Sequence, residues 1–333
     1  MTRLTILLTA ASALTLAACE TQSGALEAEP AIAAAPPAEA AETAATDAVE
    51  VAEETADDMA EEMASDMAKP AMTSAEKLDV ILATQPADVQ ARYDQRNPAQ
   101  TLAFFGIKPG MTVAEALPGG GWYTKILLPY VGPEGKVVGA QYPDAIWSRF
   151  NFGEEWAQEQ TEASANWTTT AAEWDIDGAA DIGAYQMTSA PDDMAASLDA
   201  VLFIRALHNL HRFNGDTGWF DDTVAETFAL LKPGGIVGVV QHQAPETNPD
   251  EWADGNAGYL KQSRVVEAFE AAGFVLEATT DVNANPADMP TTDDFVWRLP
   301  PSLASTEEGT PEREAMEAIG ESNRMTLRFR KPA

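Results

Sequence analysis

Cysteine is almost absent: the 333-residue chain holds one, Cys19. No intrachain disulfide can form, and zinc sites built from several thiolates are excluded. Basic residues are scarce too. Lys and Arg number 20 against 53 Asp and Glu, for a formal net charge of −33. From Leu4 to Ala68 there is no Lys or Arg at all. Such a surface repels nucleic acid and anionic lipid headgroups, so nucleic-acid binding is set aside. Its general effect is solubility. Histidine occurs only at His208, His211 and His242. The apolar run Leu4 to Leu16 is interrupted only by Thr and Ser. It falls short of the roughly 20 residues that a membrane-spanning helix needs.

That run, with Arg3 before it, reads as the hydrophobic stretch of a signal peptide. It ends in Leu16-Ala17-Ala18-Cys19, which resembles the lipobox of bacterial lipoproteins. The resemblance implies a signal peptide over residues 1–18 and a diacylglycerol on the Cys19 thiol. Glu20 in the next position implies the outer membrane, facing the periplasm, with membrane contact through the lipid alone. Residues 19–72 form an acidic tether rich in Ala, Glu and Pro, whose front half has too little apolar surface to fold. Met59, Met63 and Met67 share one face of any helix there. Thioethers suit soft copper(I), but a weak amphipathic helix or plain disorder is the favoured reading of that face.

Aromatic and basic residues appear from about Thr73, and residues 73–333 read as one α/β domain. A helical stretch is expected from Ser74, as N-cap, toward Gln95, and a second helix over Pro98 to Phe105. Met111 to Leu117 reads as a strand, Gly119-Gly120-Gly121 as a tight loop, and Trp122 to Tyr130 as a helix. After the turn at Gly132–Gly135, Lys136 to Tyr142 is a second strand, completing a βαβ unit. Asp199 to Ile204 and Ile236 to Val240 are continuous apolar runs of the kind found in parallel strands buried on both faces. A helix over Asp221 to Leu231 and a turn at Lys232-Pro233-Gly234-Gly235 separate them. The alternation predicts an open, Rossmann-like, doubly wound sheet with its ligand site beyond the C-terminal strand ends.

The segment Val113-Ala114-Glu115-Ala116-Leu117-Pro118-Gly119-Gly120-Gly121-Trp122-Tyr123-Thr124 carries the chemistry. Glycines let backbone approach a ligand closely, and the following helix start offers free N–H groups and a positive dipole end. Here the chain resembles the class I S-adenosylmethionine (SAM)-dependent methyltransferase superfamily. Within it, the chain is most similar to a methyltransferase family with a PGGGWYT pattern. His208-Asn209-Leu210, Leu231 to Gly235, Asn283 to Pro286 and Ile319 to Leu327 extend the likeness over residues 73–333. The resemblance implies a mostly parallel seven-stranded sheet. Strand six falls at Gly273–Val282 and an antiparallel strand seven at Arg324–Arg330. The long insert between them carries Trp297 to Pro301 and reaches toward the site. SAM is the implied cofactor, held by Glu115, Leu117, Pro118, Gly119, Gly120, Gly121 and Gln141. Leu117 replaces the usual first glycine, and Gln141 replaces the usual acidic partner of the ribose hydroxyls.

His208 and His242 follow the fourth and fifth strands and are expected near one another at the ligand end. Either serves as general base, or both are structural; His211 reads as structural. No ligand spacing supports a metal site. The sequence thus predicts a SAM-dependent methyltransferase whose acceptor, a small molecule or another group, is unspecified. The alternative is a non-catalytic envelope lipoprotein that reuses the fold to bind a small molecule or partner.

Overall fold

The computed structural model describes residues 72–333. The expected signal peptide, Cys19 and the expected tether up to residue 71 therefore lie outside the described residues. The first helix, α1 (Ser74–Thr84), is opened by a capping box centred on Thr73, not Ser74. Thr73 Oγ1 accepts from the Glu76 N–H, and the Glu76 carboxylate accepts from the Thr73 N–H at 2.8 Å. The expected single helix to Gln95 is instead three pieces, α1, α2 (Ala87–Gln90) and α3 (Tyr93–Arg96). Pro86 causes the first break: a residue before proline is driven out of the helical region, and Gln85 sits at ψ 153°. α4 (Pro98–Phe105) starts on its proline, as expected.

β1 (Thr112–Ala116), α5 (Thr124–Val131) and β2 (Lys136–Gln141) form the first βαβ unit, with β1 and β2 parallel. The helix starts two residues later than expected, because Trp122 and Tyr123 belong to the bend. A 3-10 turn (Asp144–Phe150), α6 (Glu154–Ala165), α7 (Trp167–Ala172) and β3 (Asp181–Gln186) follow. Next come β4 (Leu198–Ile204), α8 (Leu207–Arg212), α9 (Asn214–Thr217) and α10 (Trp219–Leu230). β5 (Leu231–Ala244) then runs through the expected turn at Lys232–Gly235 as an irregularity in its pairing with β4. The last elements are β6 (Leu260–Lys261), α11 (Gln262–Ala271), β7 (Val275–Thr280), α12 (Pro311–Ile319) and β8 (Arg324–Arg330).

The sheet order is β3-β2-β1-β4-β5-β8-β7, with the two-residue β6 beside β5. All pairs from β3 to β5 are parallel, whereas β8 is antiparallel to both β5 and β7. This is the doubly wound, mostly parallel arrangement expected, with its antiparallel final strand and one extra short strand. Both faces are buried. Val113, Val137 and Leu202 pack toward α1, α4 and α5, while Ala114, Val138 and Phe203 pack toward α10 and α11. The run of β-branched and small residues follows from that two-sided burial. The strand order reverses between β1 and β4, and a cleft at that switch point is where such sheets hold ligands.

Candidate functional site

β1 delivers the chain into a bend at its C-terminal end. Leu117 adopts a left-handed φ of 50°, Gly119 of 52° and Gly121 of 78°. The Leu117 N–H stays tied to Ala140 O at 2.8 Å, and the Gly121 N–H closes on Pro118 O at 2.8 Å. Among the described residues, the N–H groups of Gly119, Gly120 and Trp122 have no acceptor. Pro118 is buried, whereas Gly119 and Gly120 are exposed, and nothing lies within 4 Å of where a Gly120 Cβ would stand. Gly121 differs: a Cβ there would meet the Trp174 ring at 2.1 Å. Trp174 thus roofs one side of the loop, with Lys125 Nζ 4.6 Å from its ring centre.

The two bulky residues of the bend turn opposite ways. Leu117 is half-buried and packs against the core cluster on the α10–α11 face of the sheet. Trp122 packs edge-on against Tyr93 and Tyr123, under the Arg96 guanidinium at 4.7 Å. The Leu117 side chain costs backbone strain at its left-handed φ. Strain at a non-glycine residue is tolerated where the surrounding structure fixes it, and such positions gather at functional sites.

Glu115 is buried on β1 and accepts from Thr124 Oγ1, on the first residue of α5, at 2.6 Å. Burial pushes its carboxyl up to about 7, against the pull of the Thr124 bond and the Arg205 charge. Gln141 ends β2, paired with Gln186 of β3; it is buried and its Nε2 has no partner among the described residues. An orphaned buried donor of this kind calls for a ligand or water. The bare loop amides follow β1 and the free Gln141 amide ends the neighbouring strand β2, so unpaired donors stand at adjacent strand ends.

His208 and His242 come together, with ring centres 5.5 Å apart. His208 lies in α8. His242 lies inside β5 rather than after it, because β8 extends the ladder to a His242–Arg324 pair. His208 Nδ1 faces Gln241 Oε1 at 3.4 Å, and His242 Nδ1 faces Ser322 Oγ at 2.5 Å. Both rings are buried. Burial lowers His208 to about 4 and holds His242 well below the usual imidazole value, so both are neutral near pH 7. His211 is bound to Asp254 O at 2.7 Å and receives Arg264 Nε at 3.2 Å, a structural placement. The insert before β8 reaches this end of the sheet as anticipated: Trp297 lies 5.9 Å from the His208 ring.

Four arginines at this end have no counterpart in the sequence reading. Arg92, Arg96 and Arg324 converge on Glu321: Arg92 Nε at 2.9 Å, Arg96 Nε at 3.3 Å and Arg324 Nη1 at 2.9 Å. Burial pushes the Glu321 carboxyl up, but the three guanidiniums outweigh it and hold the group below the usual value. The fourth, Arg205, follows β4 at a left-handed φ of 58°. Its place immediately after a buried parallel strand was the one signal that could have found it.

No family model and no curated protein matches the chain. Among solved structures it is similar to the (4+2)-cyclase SpnF, at 18% identity over 72% of this chain and 81% of that one, TM-score 0.46. It is also similar to a geranyl diphosphate methyltransferase solved with SAM, at 16% identity over 76% and 94% of the two chains, TM-score 0.45. A third likeness is to a SAM-dependent methyltransferase from Aquifex aeolicus, at 16% identity over 60% and 93%, TM-score 0.40. The fold assignment rests on the strand order and two-sided burial described above.

Proposed function

We propose that the chain is a SAM-dependent methyltransferase, with its methyl acceptor left open. In this reading it is lipid-anchored through Cys19 at the outer membrane and faces the periplasm. The observation that carries the activity is the bend after β1. There, three loop N–H groups lack acceptors among the described residues, and the flank at Gly120 is open. SAM, when bound, supplies a methyl group made electrophilic by its sulfonium. The loop amides and the start of α5 suit its carboxylate. Glu115, in its ionised form, suits the ammonium, and Gln141 Nε2 suits a ribose hydroxyl. Alignment of donor and acceptor then accounts for most of the rate, and no covalent nucleophile is needed.

One of His208 and His242 serves as base for an acceptor proton. Both are neutral near pH 7 and so free to accept a proton, although burial makes each a weaker base than a free imidazole. A second reading, a non-catalytic envelope module on the same fold, is favoured by Leu117 standing in left-handed backbone where the motif has a glycine.

Calorimetric titration of the full chain with SAM tests the proposal, using Gly120→Val as the control. That side chain has room to fold but stands in the ligand's space. Micromolar binding by the wild type, weakened at least tenfold in the variant, is expected; no binding at millimolar SAM overturns the methyltransferase. Replacing His208 or His242 with Gln is expected to slow turnover by about 10²–10⁴. Unchanged turnover in a folded variant removes the base role. Cys19→Ser is expected to shift the protein from the membrane fraction to the soluble one; equal partitioning removes the anchor.

A further inference from the structure

The arginines at the ligand end outnumber the charges that could neutralise them. Arg92, Arg96 and Arg324 share the single carboxylate of Glu321. Arg205 has no hydrogen-bond or ion-pair partner for its side chain among the described residues, and its Nε is shielded from solvent. The Nε of Arg324 is likewise shielded and unpartnered. Shielding an unpaired guanidinium is unfavourable unless something negative arrives to meet it. In a chain whose formal net charge is −33, a local excess of cations is a specific feature rather than a by-product of composition.

The backbone holds Arg205 in place at some cost. Its N–H binds Val240 O at 2.6 Å and its φ is 58°, beside Leu117 at φ 50° on the neighbouring strand end. Two strained non-glycine residues thus sit at the adjacent C-terminal ends of β4 and β1. Arg205 lies within electrostatic reach of Glu115, Glu321, His208 and His242. In the chain it stands between the end of β4, which pairs with β1, and α8, which carries His208.

We propose that Arg205 anchors a carboxylate or phosphate group of the methyl acceptor, with the Arg92–Arg96–Arg324 cluster supplying the surrounding positive field. The inference rests on the methyltransferase reading for the word acceptor, but the anion site itself does not. A guanidinium fork binds either anion through two parallel N–H bonds, which an ammonium cannot match. The methionyl carboxylate of SAM has the same chemistry, so the test must separate the two sources.

The full chain is titrated calorimetrically with inorganic phosphate and, separately, with SAM. The variants are Arg205→Gln, Arg205→Lys and Lys232→Gln; Lys232 is a cation at the other end of the sheet, paired with Asp199. The expected result is millimolar phosphate binding in wild type and Lys232→Gln, at least tenfold weaker in Arg205→Gln and intermediate in Arg205→Lys. Arg205→Gln is expected to melt no earlier than wild type, because no described partner is lost. Phosphate binding that ignores Arg205 overturns the site. A tenfold loss of SAM affinity in Arg205→Gln, with SAM and phosphate competing, assigns the arginine to the donor and overturns the acceptor role. Arg205-dependent phosphate binding without any SAM binding supports the anion site while removing the methyltransferase reading.

Discussion

Replacing Glu321 with Gln removes the only carboxylate that three guanidiniums share. The Glu321 side chain is 4% exposed, and those of Arg96 and Arg324 are 7% and 4% exposed, so solvent cannot substitute for the lost charge. Breaking a buried pair by removing one partner costs about 3–5 kcal/mol, because the charge left behind is uncompensated. In a domain of this size each kcal/mol moves the melting temperature by about 2–4 °C, so the variant is expected to melt ~6–20 °C lower. The loss also has a pH signature. The folded-state value of Glu321 is depressed, so its contribution is present above the ordinary carboxyl value of 4.5 and is lost as pH falls through the folded value. Thermal and urea unfolding by circular dichroism, at pH 7 and across the acid range, measure both effects. Restoring balance by adding Arg96→Met is expected to recover part of the loss. A destabilisation below about 1 kcal/mol, or a gap that persists at acid pH, refutes the view of Glu321 as the cluster's counter-ion.

Gly121→Ala puts a Cβ into the Trp174 ring and forces a left-handed φ, so a loss of about 1–3 kcal/mol is expected by urea unfolding. Asp288 accepts from Tyr259 and Arg298, both at 3.0 Å, and from the Asn323 N–H at 2.9 Å. Asp288→Asn is expected to cost about 3–5 kcal/mol and to raise amide exchange over residues 245–259 and 281–323. Glu115 has a raised value, so the folded protein binds the extra proton. Its contribution to stability therefore falls as pH rises from about 4.5 to about 7, while affinity for the SAM ammonium rises over the upper part of that window. Glu115→Gln is expected to flatten both profiles, as read by unfolding and by calorimetry.

The core of the fold was legible because its signals are local. β1, the glycine bend and β2 carry their own punctuation, and the Val201–Ile204 and Ile236–Val240 runs can only be buried strands. β7 and β8 followed from the family likeness. β3 was not visible because it is an edge strand, Asp-Ile-Gly-Ala-Tyr-Gln, mostly part-exposed and without an apolar run. α6 buries no residue, so no stripe marked it. Pro86 breaks a helical pattern that apolar spacing alone continues across it. β5 is longer than its apolar run because β8 and β6 supply partners that no local pattern announces. Of the candidate site, the glycine bend and the meeting of His208 with His242 were legible from strand-end positions. The arginine cluster was not, because Arg92 and Arg96 meet Glu321 across more than 220 residues of chain. Only the fold brings them together.

The most direct test of the account is a crystal structure of the full chain grown with S-adenosylhomocysteine. The expected result is ligand along Leu117–Tyr123, its carboxylate within hydrogen-bond distance of the Gly119, Gly120 or Trp122 N–H and a ribose hydroxyl beside Gln141. Ligand bound elsewhere, or that space filled by the Leu117 or Trp122 side chain, contradicts it.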